Sequence, residues 1–276
     1  MLLVGLGRAT RLLRFLTDLP KRYVGEVVLG VSTTTLDDEG EVTGQWDMSH
    51  VTLAKGRAAA ALLTGPILQI PPMVSAVRVG GRRLHELARE GIEVERAPRP
   101  VNVDRFDVEP GESPGVWRID VTCGSGTYIR VLAADLGAAL GGGAHLRGLR
   151  RQSIGSFGVD SARTLEMIEA DPGAAVISPA AALVDYASTA VDAETAAQVG
   201  HGRPLPPERL GLGALGPADQ GPWVVVDPDG SLIAVYERRA SGTPGTPGSP
   251  GSPGSPAAPG GGGEGEAALL FPAVVL

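Results

Sequence analysis

A glycine-rich stretch, CGSGTYIR (123–130), carries the residues in this sequence that are best suited to do chemistry. Gly124 and Gly126 let the backbone turn tightly and let another backbone or a ligand approach closely. Tyr128 and Arg130 follow where a strand ends and a helix begins, a place where α/β proteins often put functional side chains. An arginine in the first turn of a helix opposes the helix dipole, so a bound carboxylate or phosphate would explain its position. A surface arginine beside a half-buried tyrosine is the structural alternative.

A cluster of arginines follows in the stretch GGGAHLRGLRRQSIGSFGV (141–159). Arg147, Arg150 and Arg151 lie close to glycines, and the guanidinium group binds phosphate oxygens in a bidentate manner. Such a cluster suits the positioning of a nucleic-acid backbone, although arginine clusters are usually a solvated face. The short GxG pieces of the chain lack the full dinucleotide fingerprint, so they do not support a Rossmann site.

Other kinds of site find little support in the composition. The single cysteine, Cys123, excludes an internal disulfide, and the four histidines are scattered without the spacing of a zinc site. No apolar run approaches the roughly 18 residues that span a bilayer, so we expect a cytoplasmic protein without a membrane partner.

The net charge of −7 argues against general nucleic-acid binding, but the charges are unevenly distributed. Residues 1–165 hold 20 of the 24 basic and 18 of the 31 acidic residues, whereas residues 166–276 hold 4 basic and 13 acidic ones. Of the basic residues 22 are arginine, which reflects either codon bias or a preference for bidentate contacts to phosphates and bases. The acidity therefore belongs to the C-terminal part of the chain.

The elements that must position these residues can be predicted from periodicity. Alternation and β-branched residues predict strands at 21–30, 100–109 and 115–123, the last two paired, and the last leads into CGSGTYIR. Thr127 is the predicted N-cap of a helix that runs from Tyr128 to about Leu140. Helices are also predicted at 9–17, at 53–65 with a left-handed Gly65 as its cap, and at 82–91 with Gly91 at its end.

The character of the chain changes from about residue 190. A hairpin around Asp229-Gly230 is predicted at 224–237, and a further strand at 268–276. Between them, the Ser/Thr-Pro-Gly repeat at 241–266 cannot bury apolar surface and is predicted to be a disordered loop. This loop would interrupt a small β domain.

Several separated stretches resemble the bacterial tRNA pseudouridine synthase B (TruB) family. They are GLGRATRLLRFL, KRYVGEVVLGVSTTTLDDEG, QIPPMVSAVRVGGRRLHELAREGIEV, GTYIRVLAADLG and GAHLRGLRR, and the resemblance is strongest over residues 1–160. It implies the α+β fold class, with a mixed, mainly antiparallel sheet flanked by helices in a catalytic domain at 1–189. A small PUA-like β domain at 190–276 would follow and touch the RNA.

The resemblance also implies a function. A family member isomerises the T-loop uridine of tRNA, at conventional position 55, to pseudouridine, and it uses neither a metal ion nor an organic cofactor. The target base must be flipped out of its stack, at a cost of about a few kcal/mol, which stacking on an aromatic side chain partly offsets. We expect tRNA, through its T-arm, to be the partner of a monomer.

Individual residues take roles from the resemblance. Tyr23 matches the tyrosine that stacks on the flipped base, and Tyr128 matches a second pocket tyrosine that can remove the C5 proton. Leu149 matches the apolar residue that lines the pocket floor. Arg130 matches the arginine that pairs with the catalytic aspartate. Arg151 and the remaining arginines would grip phosphates, with the shape of the T-arm rather than base edges selecting the substrate.

Some positions depart from the family's pattern. Residues 33–35 are Thr-Thr-Thr where the family usually has Thr-Asp-Thr, and Val74 and His85 stand where aromatic residues are common. Asp37 matches a frequent family aspartate near the site, and its alternative role is to cap a turn.

The larger departure is the absence of the catalytic aspartate, which the family carries in a Gly-Thr-Leu-Asp-Pro motif followed by Gly-Val-Leu. Met1 and Leu2 align with that Val-Leu, so the aspartate would precede Met1. One explanation is a start codon placed too late, because GTG encodes valine internally and methionine at a start. The other is a short protein that binds tRNA without modifying it. Three hypotheses follow: a T-loop uridine isomerase, a non-catalytic tRNA-binding or folding module, and an unrelated cytoplasmic scaffold.

Overall fold

The computed structural model describes residues 1–216, 218–238 and 269–276. The loop predicted to be disordered, at 241–266, lies outside the described residues. The chain divides into two compact units, Met1–Leu3 with Arg14–Met167 and Val4–Leu13 with Ile168–Leu276. The domain boundary between residues 189 and 190 stays a prediction.

The elements before residue 160 belong mainly to the first unit. A 3₁₀ helix at Gly7–Leu12 is followed by α1 (Leu13–Asp18), β1 (Lys21–Leu29), β2 (Val31–Thr33), β3 (Val42–Gln45), α2 (Leu53–Leu62), β4 (Gly65–Gln69), β5 (Arg78–Val79), β6 (Arg82–Arg83), α3 (Leu84–Arg89), β7 (Arg99–Pro110), β8 (Val116–Cys123), α4 (Ile129–Ala139), β9 (Ala144–Ile154) and β10 (Phe157–Gly158).

An antiparallel sheet organises the first unit. Among the described residues it has six strands in the order β10-β9-β1-β8-β7-β4, and every neighbouring pair is antiparallel. Strands β2 and β3 form a small separate hairpin, as do β5 and β6. The mixed, mainly antiparallel α+β class expected for this part of the chain is therefore confirmed.

The core of the first unit lies between this sheet and the helices α2 and α4. Val27 of β1, Val121 of β8, Ala60 of α2 and Leu132 of α4 are fully buried in one cluster. Burial of such apolar surface contributes about 25 cal/mol per Å² and holds the helices on this face. Gly56 of α2 packs onto the ring of Trp117, since a Cβ at Gly56 would lie 2.3 Å from that ring.

The predicted strands at 21–30, 100–109 and 115–123 are confirmed as β1, β7 and β8. The predicted helices differ from the structure in three places. α3 begins at Leu84 rather than at residue 82, because Arg82 and Arg83 form β6. α2 ends at Leu62, and Gly65, with φ +94°, opens β4 instead of capping the helix. The segment predicted as one helix at 9–17 is a 3₁₀ turn that continues into α1.

The second unit contains a smaller sheet. Helix α5 (Leu165–Ala170) crosses the boundary between the two units at residue 167. The later α-helices and strands that the structure describes are α6 (Pro179–Ala182), β11 (Ala187–Ala190), α7 (Ala193–Gly200), β12 (Trp223–Val226), β13 (Leu232–Arg238) and β14 (Leu270–Val275). The strands lie in the order β11-β12-β13-β14, with β11 parallel to β12 and the others antiparallel. The hairpin predicted at 224–237 and the strand predicted at 268–276 are thus confirmed. Among the described residues, no helix combines the length and the apolar character needed to cross a membrane.

Candidate functional site

One face of the large sheet carries three of the predicted site residues. In the pairing of β1 with β9, Arg151 lies opposite Tyr23 and Leu149 lies opposite Gly25. Directly paired residues of antiparallel strands project to the same face. Tyr23 also packs against the buried core cluster, so this is the face that α2 and α4 cover. The structure therefore brings Tyr23, Leu149 and Arg151 together on adjacent strands.

A β-bulge is what directs Leu149 to this face. Leu146 pairs with Val27 and Leu149 with Gly25, so three steps along β9 match two along β1. The extra residue is Gly148, whose φ of +63° is readily adopted by glycine. Because side chains alternate between faces, an unbulged strand would send Leu149 to the opposite side.

The bulge requires a glycine on the neighbouring strand as well. A Cβ at Gly25 would lie 2.7 Å from the carbonyl oxygen of Gly148 and 3.1 Å from Cδ1 of Leu149. The stretch 141–159 gave no strand signal, because glycines and arginines break its alternation. β9 was therefore not predicted from the sequence, and neither were the roles of Gly25 and Gly148.

Arg130 forms an ion pair with Asp37. Its Nη1 lies 2.9 Å from Oδ2 of Asp37, and the two side chains are 28% and 20% exposed. The same Nη1 donates to the carbonyl oxygen of Thr35 at 3.4 Å. Among the described residues, Nε and Nη2 of Arg130 make no hydrogen bond. Since a guanidinium group has five N–H donors, Arg130 can bind a second anion while it keeps Asp37.

The loop before Asp37 is pinned to β9. The amide of Leu146 donates to the carbonyl of Leu36 at 3.0 Å, and the amide of Asp38 donates to the carbonyl of Leu146 at 3.2 Å. Leu36 has a φ of +64°, an uncommon conformation for a leucine. The hydroxyl of Thr35 donates to Oδ1 of Asp37, so Asp37 is held on both oxygens. These contacts hold Asp37 as a fixed partner for Arg130.

Tyr128 lies one position earlier relative to α4 than the sequence suggested. The N-cap residue is Tyr128 itself, with φ −100° and ψ 109°, and the helix runs from Ile129 to Ala139. The prediction of Thr127 as the N-cap was wrong. The backbone of Tyr128 is paired in both directions with the side-chain amide of Gln69, 59 residues away. Arg130 is consequently in the first turn of α4, as predicted.

The arginine cluster does not form one surface. Arg147 pairs with Glu26 at 2.8 Å, and Arg150 lies opposite Val24, so both are on the other face of the sheet. Arg151 lies on the site face and donates from Nε and Nη2 to the carbonyl oxygen of Met1, at 3.1 and 2.8 Å. Of the three, only Arg151 is placed where it could reach a ligand beside Tyr23.

A buried lysine adjoins this face. Lys21 is 9% exposed and lies two residues before Tyr23 on β1, so the two side chains are on the same face of the sheet. Burial lowers the pKa of its ammonium group, with the charges of Asp18 and Cys123 opposing the shift and Arg151 adding to it. Its Nζ donates to the carbonyl oxygen of Thr17.

Other surfaces of the described residues are less suited to chemistry. An open cleft of about 530 Å³ lies between α2 and β7 and is lined by residues such as Arg57, Asp104 and Glu109, none of which is a predicted site residue. Within the described ranges, no group of three or more His, Cys, Asp or Glu side chains could hold a metal ion. The site face and the Arg130–Asp37 pair are therefore the candidate functional site.

Comparison with known proteins relates this chain to a family. Residues 1–129 match the model described as TruB family pseudouridylate synthase (N terminal domain). Residues 186–244 match the model described as tRNA Pseudouridine synthase II, C terminal. The chain is 43% identical over 243 residues to tRNA pseudouridine synthase B of Rhodococcus jostii, covering 87% of this chain and 77% of that protein. It is 41% identical to the protein of the same name from Mycobacteroides abscessus, with 88% and 80% covered.

Solved structures share the fold at lower identity. A chain in the crystal structure of a Cbf5-Nop10-Gar1 complex matches with a TM-score of 0.62 and 23% identity, over 84% of this chain and 64% of that one. A chain in the structure of an H/ACA RNP bound to a substrate RNA containing 2'-deoxyuridine matches with a TM-score of 0.60 and 19% identity, over 86% and 64%. This chain thus spans somewhat less than two thirds of those solved chains, and the likeness concerns the fold.

Proposed function

The chain belongs to the TruB family of pseudouridine synthases, as its sequence motifs predicted, and we propose that it serves the isomerisation of the T-loop uridine, at conventional position 55, to pseudouridine in tRNA. The relatives of known name are tRNA pseudouridine synthases, which supports tRNA as the substrate. The finer assignments, the T-arm and the single position, rest on the motifs of this chain and on its site.

The observation that carries the proposal is the arrangement around Arg130. Its Nη1 is occupied by Asp37 at 2.9 Å, while Nε and Nη2 make no hydrogen bond among the described residues. A guanidinium edge of this kind fits a second carboxylate, because two parallel N–H groups match two carboxylate oxygens. We place the catalytic aspartate of the family, whose Gly-Thr-Leu-Asp-Pro motif does not occur in residues 1–276, against this edge.

The site face would hold the flipped base. Tyr23 presents an aromatic surface, and base–aromatic stacking contributes about 1–3 kcal/mol. Leu149 is 45% exposed, which leaves an apolar side chain for the base to contact. Arg151 on the same face would bind the phosphate that flanks the target nucleotide.

The reaction exchanges one glycosidic bond for another. The bond between C1′ and N1 breaks, the detached ring rotates in the pocket, and a bond forms between C1′ and C5. C5 then loses its proton, and we assign the removal of this proton to Tyr128. N1 gains a proton, so the product is an isomer of the substrate. The carboxylate held by Arg130 would stabilise or trap the sugar while the ring turns. No step needs a metal ion or an organic cofactor.

A single-turnover assay on T-arm RNA tests this proposal. We would compare the 276-residue chain with a version extended upstream to the next in-frame start, each as wild type and as Asp37→Asn. Conversion by the extended version alone supports the proposed location of the catalytic aspartate. Conversion by the 276-residue chain that Asp37→Asn abolishes would make Asp37 the essential carboxylate and overturn that location.

A binding measurement tests the remaining alternative, a tRNA-binding module without catalytic activity. If neither version converts uridine but both bind T-arm RNA with an affinity that falls steeply as salt rises, the chain is a tRNA-binding module. An RNA whose target uridine is replaced by cytidine serves as the control, because it keeps the shape and the phosphates but not the reacting base. Absence of both conversion and salt-dependent binding would overturn the function altogether.

A further inference from the structure

Gln69 makes an unusual pair of hydrogen bonds with the backbone of Tyr128. Its Oε1 accepts from the amide N–H of Tyr128 at 2.9 Å, and its Nε2 donates to the carbonyl oxygen of Tyr128 at 3.3 Å. An N–H can pair only with the amide oxygen, so the orientation of the side chain is fixed by these partners. The side-chain amide of Gln69 therefore pairs with Tyr128 in the same way as a peptide group of a neighbouring strand would.

The surroundings of Gln69 make this pairing rigid. Gln69 is the last residue of β4, it is 2% exposed, and its own backbone pairs with Arg99 of β7. Pro71 and Pro72 follow almost at once, and their fixed φ restricts the chain beyond the strand. A buried side chain anchored in a sheet loses little further freedom when it binds Tyr128.

The segment that Gln69 holds is one that needs an anchor. Between β8 and α4 the chain passes through Gly124 and Gly126, and Gly126 has a φ of +83°. The amide of Gly124 is tied to the carbonyl of Asn102 at 2.8 Å, and Tyr128 is tied to Gln69. Glycines give this connection many accessible conformations, so its geometry depends on such ties.

The anchored residue sets the position of two site residues at once. Tyr128 is the N-cap of α4, and its carbonyl oxygen also accepts from the amides of Val131 and Leu132, both at 3.1 Å. The conformation of Tyr128 thus determines where its phenol points and where the first turn of α4, with Arg130, begins. A displacement of about 1 Å in a catalytic group can lower a rate by about 100-fold.

We propose that Gln69 is a positioning residue of the reaction, which fixes Tyr128 and Arg130 relative to each other through the backbone of Tyr128. This inference rests on the proposed function, because it gives Gln69 its importance through the two side chains that act on the nucleotide. Both side-chain hydrogen bonds that the structure shows for Gln69 go to the backbone of Tyr128.

The test compares Gln69→Glu with Gln69→Leu. Glutamate has the shape of glutamine, and its protonated carboxyl can still donate to the carbonyl of Tyr128 and accept from the amide. Its ionised form can only accept, so it opposes the carbonyl oxygen. Burial raises the pKa of a carboxyl above its usual value of about 4.3. The Gln69→Glu variant should therefore recover activity as the pH falls.

We expect single-turnover rates of Gln69→Leu to fall by about 100-fold with little change in affinity for T-arm RNA. For Gln69→Glu, the rate relative to wild type should rise steadily between about pH 8.5 and pH 6. Val108→Ala is the matched control, since Val108 is a buried β7 residue of the core cluster and its side chain has no hydrogen-bonding group. Its rate relative to wild type should stay flat with pH.

Two results would overturn the inference. The first concerns a version of the chain that converts uridine when position 69 is glutamine. If both Gln69 variants of that version convert uridine at the wild-type rate at high pH, the inference fails. The other is a rate ratio for Gln69→Glu as independent of pH as that of Val108→Ala, which would indicate a general loss of stability. Because Gln69→Glu is compared with itself across pH, poor folding of Gln69→Leu does not remove the test.

Hydrogen exchange separates this inference from the proposed function. The amide of Tyr128 should exchange slowly in wild type and quickly in Gln69→Leu, whether or not RNA is bound. If neither version of the chain converts uridine, the proposed function fails and the catalytic part of the inference fails with it. Fast exchange of the Tyr128 amide in wild type would overturn the structural part, independently of any activity.

Discussion

Replacement of Gly25 by alanine should disturb the bulge that presents Leu149. The added Cβ would lie 2.7 Å from the carbonyl oxygen of Gly148, where ordinary contact begins at 3.4 Å. It would also lie 3.1 Å from Cδ1 of Leu149. A leucine side chain can rotate away, but the carbonyl belongs to the backbone of β9, so the strand itself must move.

The size of the effect follows from this contact. Overpacking of a well-packed site costs about 1–3 kcal/mol. For a unit of this length a loss of 1 kcal/mol lowers the melting temperature by about 2–4 °C, so about 2 kcal/mol corresponds to roughly 4–8 °C. Gly158→Ala is the matched control in the same unit, because Gly158 has a φ of −94° and, among the residues that the structure describes, its Cβ would meet only the amide nitrogen of Asp160, at 4.0 Å. That substitution should stabilise the chain by about 0.4–1 kcal/mol through the unfolded state.

Thermal and urea unfolding of the two variants and of wild type would measure the change in stability, which should be a loss for Gly25→Ala and a gain for Gly158→Ala. A double variant with Leu149→Ala separates the two contacts of Gly25. If the carbonyl of Gly148 is the constraint, removing the leucine side chain restores little stability, and the coupling energy between the two positions is small. A Gly25→Ala variant as stable as Gly158→Ala would refute the argument that close approach of β9 requires glycine at this position.

Three further predictions concern single interactions. Asp37→Asn should lower the free energy of unfolding by about 1–2 kcal/mol, less than the ~3–5 kcal/mol of a fully buried pair because Arg130 and Asp37 keep partial exposure; the urea midpoint measures this, and an unchanged midpoint contradicts it. Burial raises the pKa of the Cys123 thiol to about 11, so a thiol reagent at about pH 8 should label the folded chain far more slowly than the unfolded chain. Because the thiol ionises in the unfolded chain first, its contribution to stability is present below pH 9.0 and is lost as the pH rises toward 11. Tyr236→Phe should cost about 1–2 kcal/mol in the second unit, because it leaves the carbonyl of Arg203, now bound at 2.7 Å, without its partner; equal denaturant midpoints for variant and wild type would show that water replaces the hydroxyl.

The strands that could be predicted from the sequence are those in which burial alternates regularly. In β8, Val121 and Cys123 are buried while Asp120 and Thr122 are more exposed, and periodicity alone finds such a strand. β9 could not be found in this way, because the bulge at Gly148 changes which face each later residue occupies. The alternation rule therefore fails at the point where β9 presents Leu149, a candidate site residue.

The candidate site shows the same division between local and distant information. Tyr23, Tyr128, Arg130, Leu149 and Arg151 could be named because each belongs to a recognisable local motif. The partner of Tyr128 could not, since nothing near Gln69 in the sequence indicates that its side chain will meet a backbone 59 residues away. Hydrogen bonds between a side chain and a distant backbone have no periodicity, so they become visible only in the folded chain.

Arg130 links the energetics of the fold to the proposed function. A cation in the first turn of a helix is unfavourable by about 0.3–1 kcal/mol, so α4 would be more stable without it. The loop at Asp37 supplies a carboxylate at 2.9 Å that offsets this cost, and it does so with Leu36 in a strained conformation at φ +64°. Two locally unfavourable features thus support one another and fix the guanidinium group of Arg130 beside Asp37. Such a conflict between local preference and tertiary structure is expected where a residue is kept for what it binds.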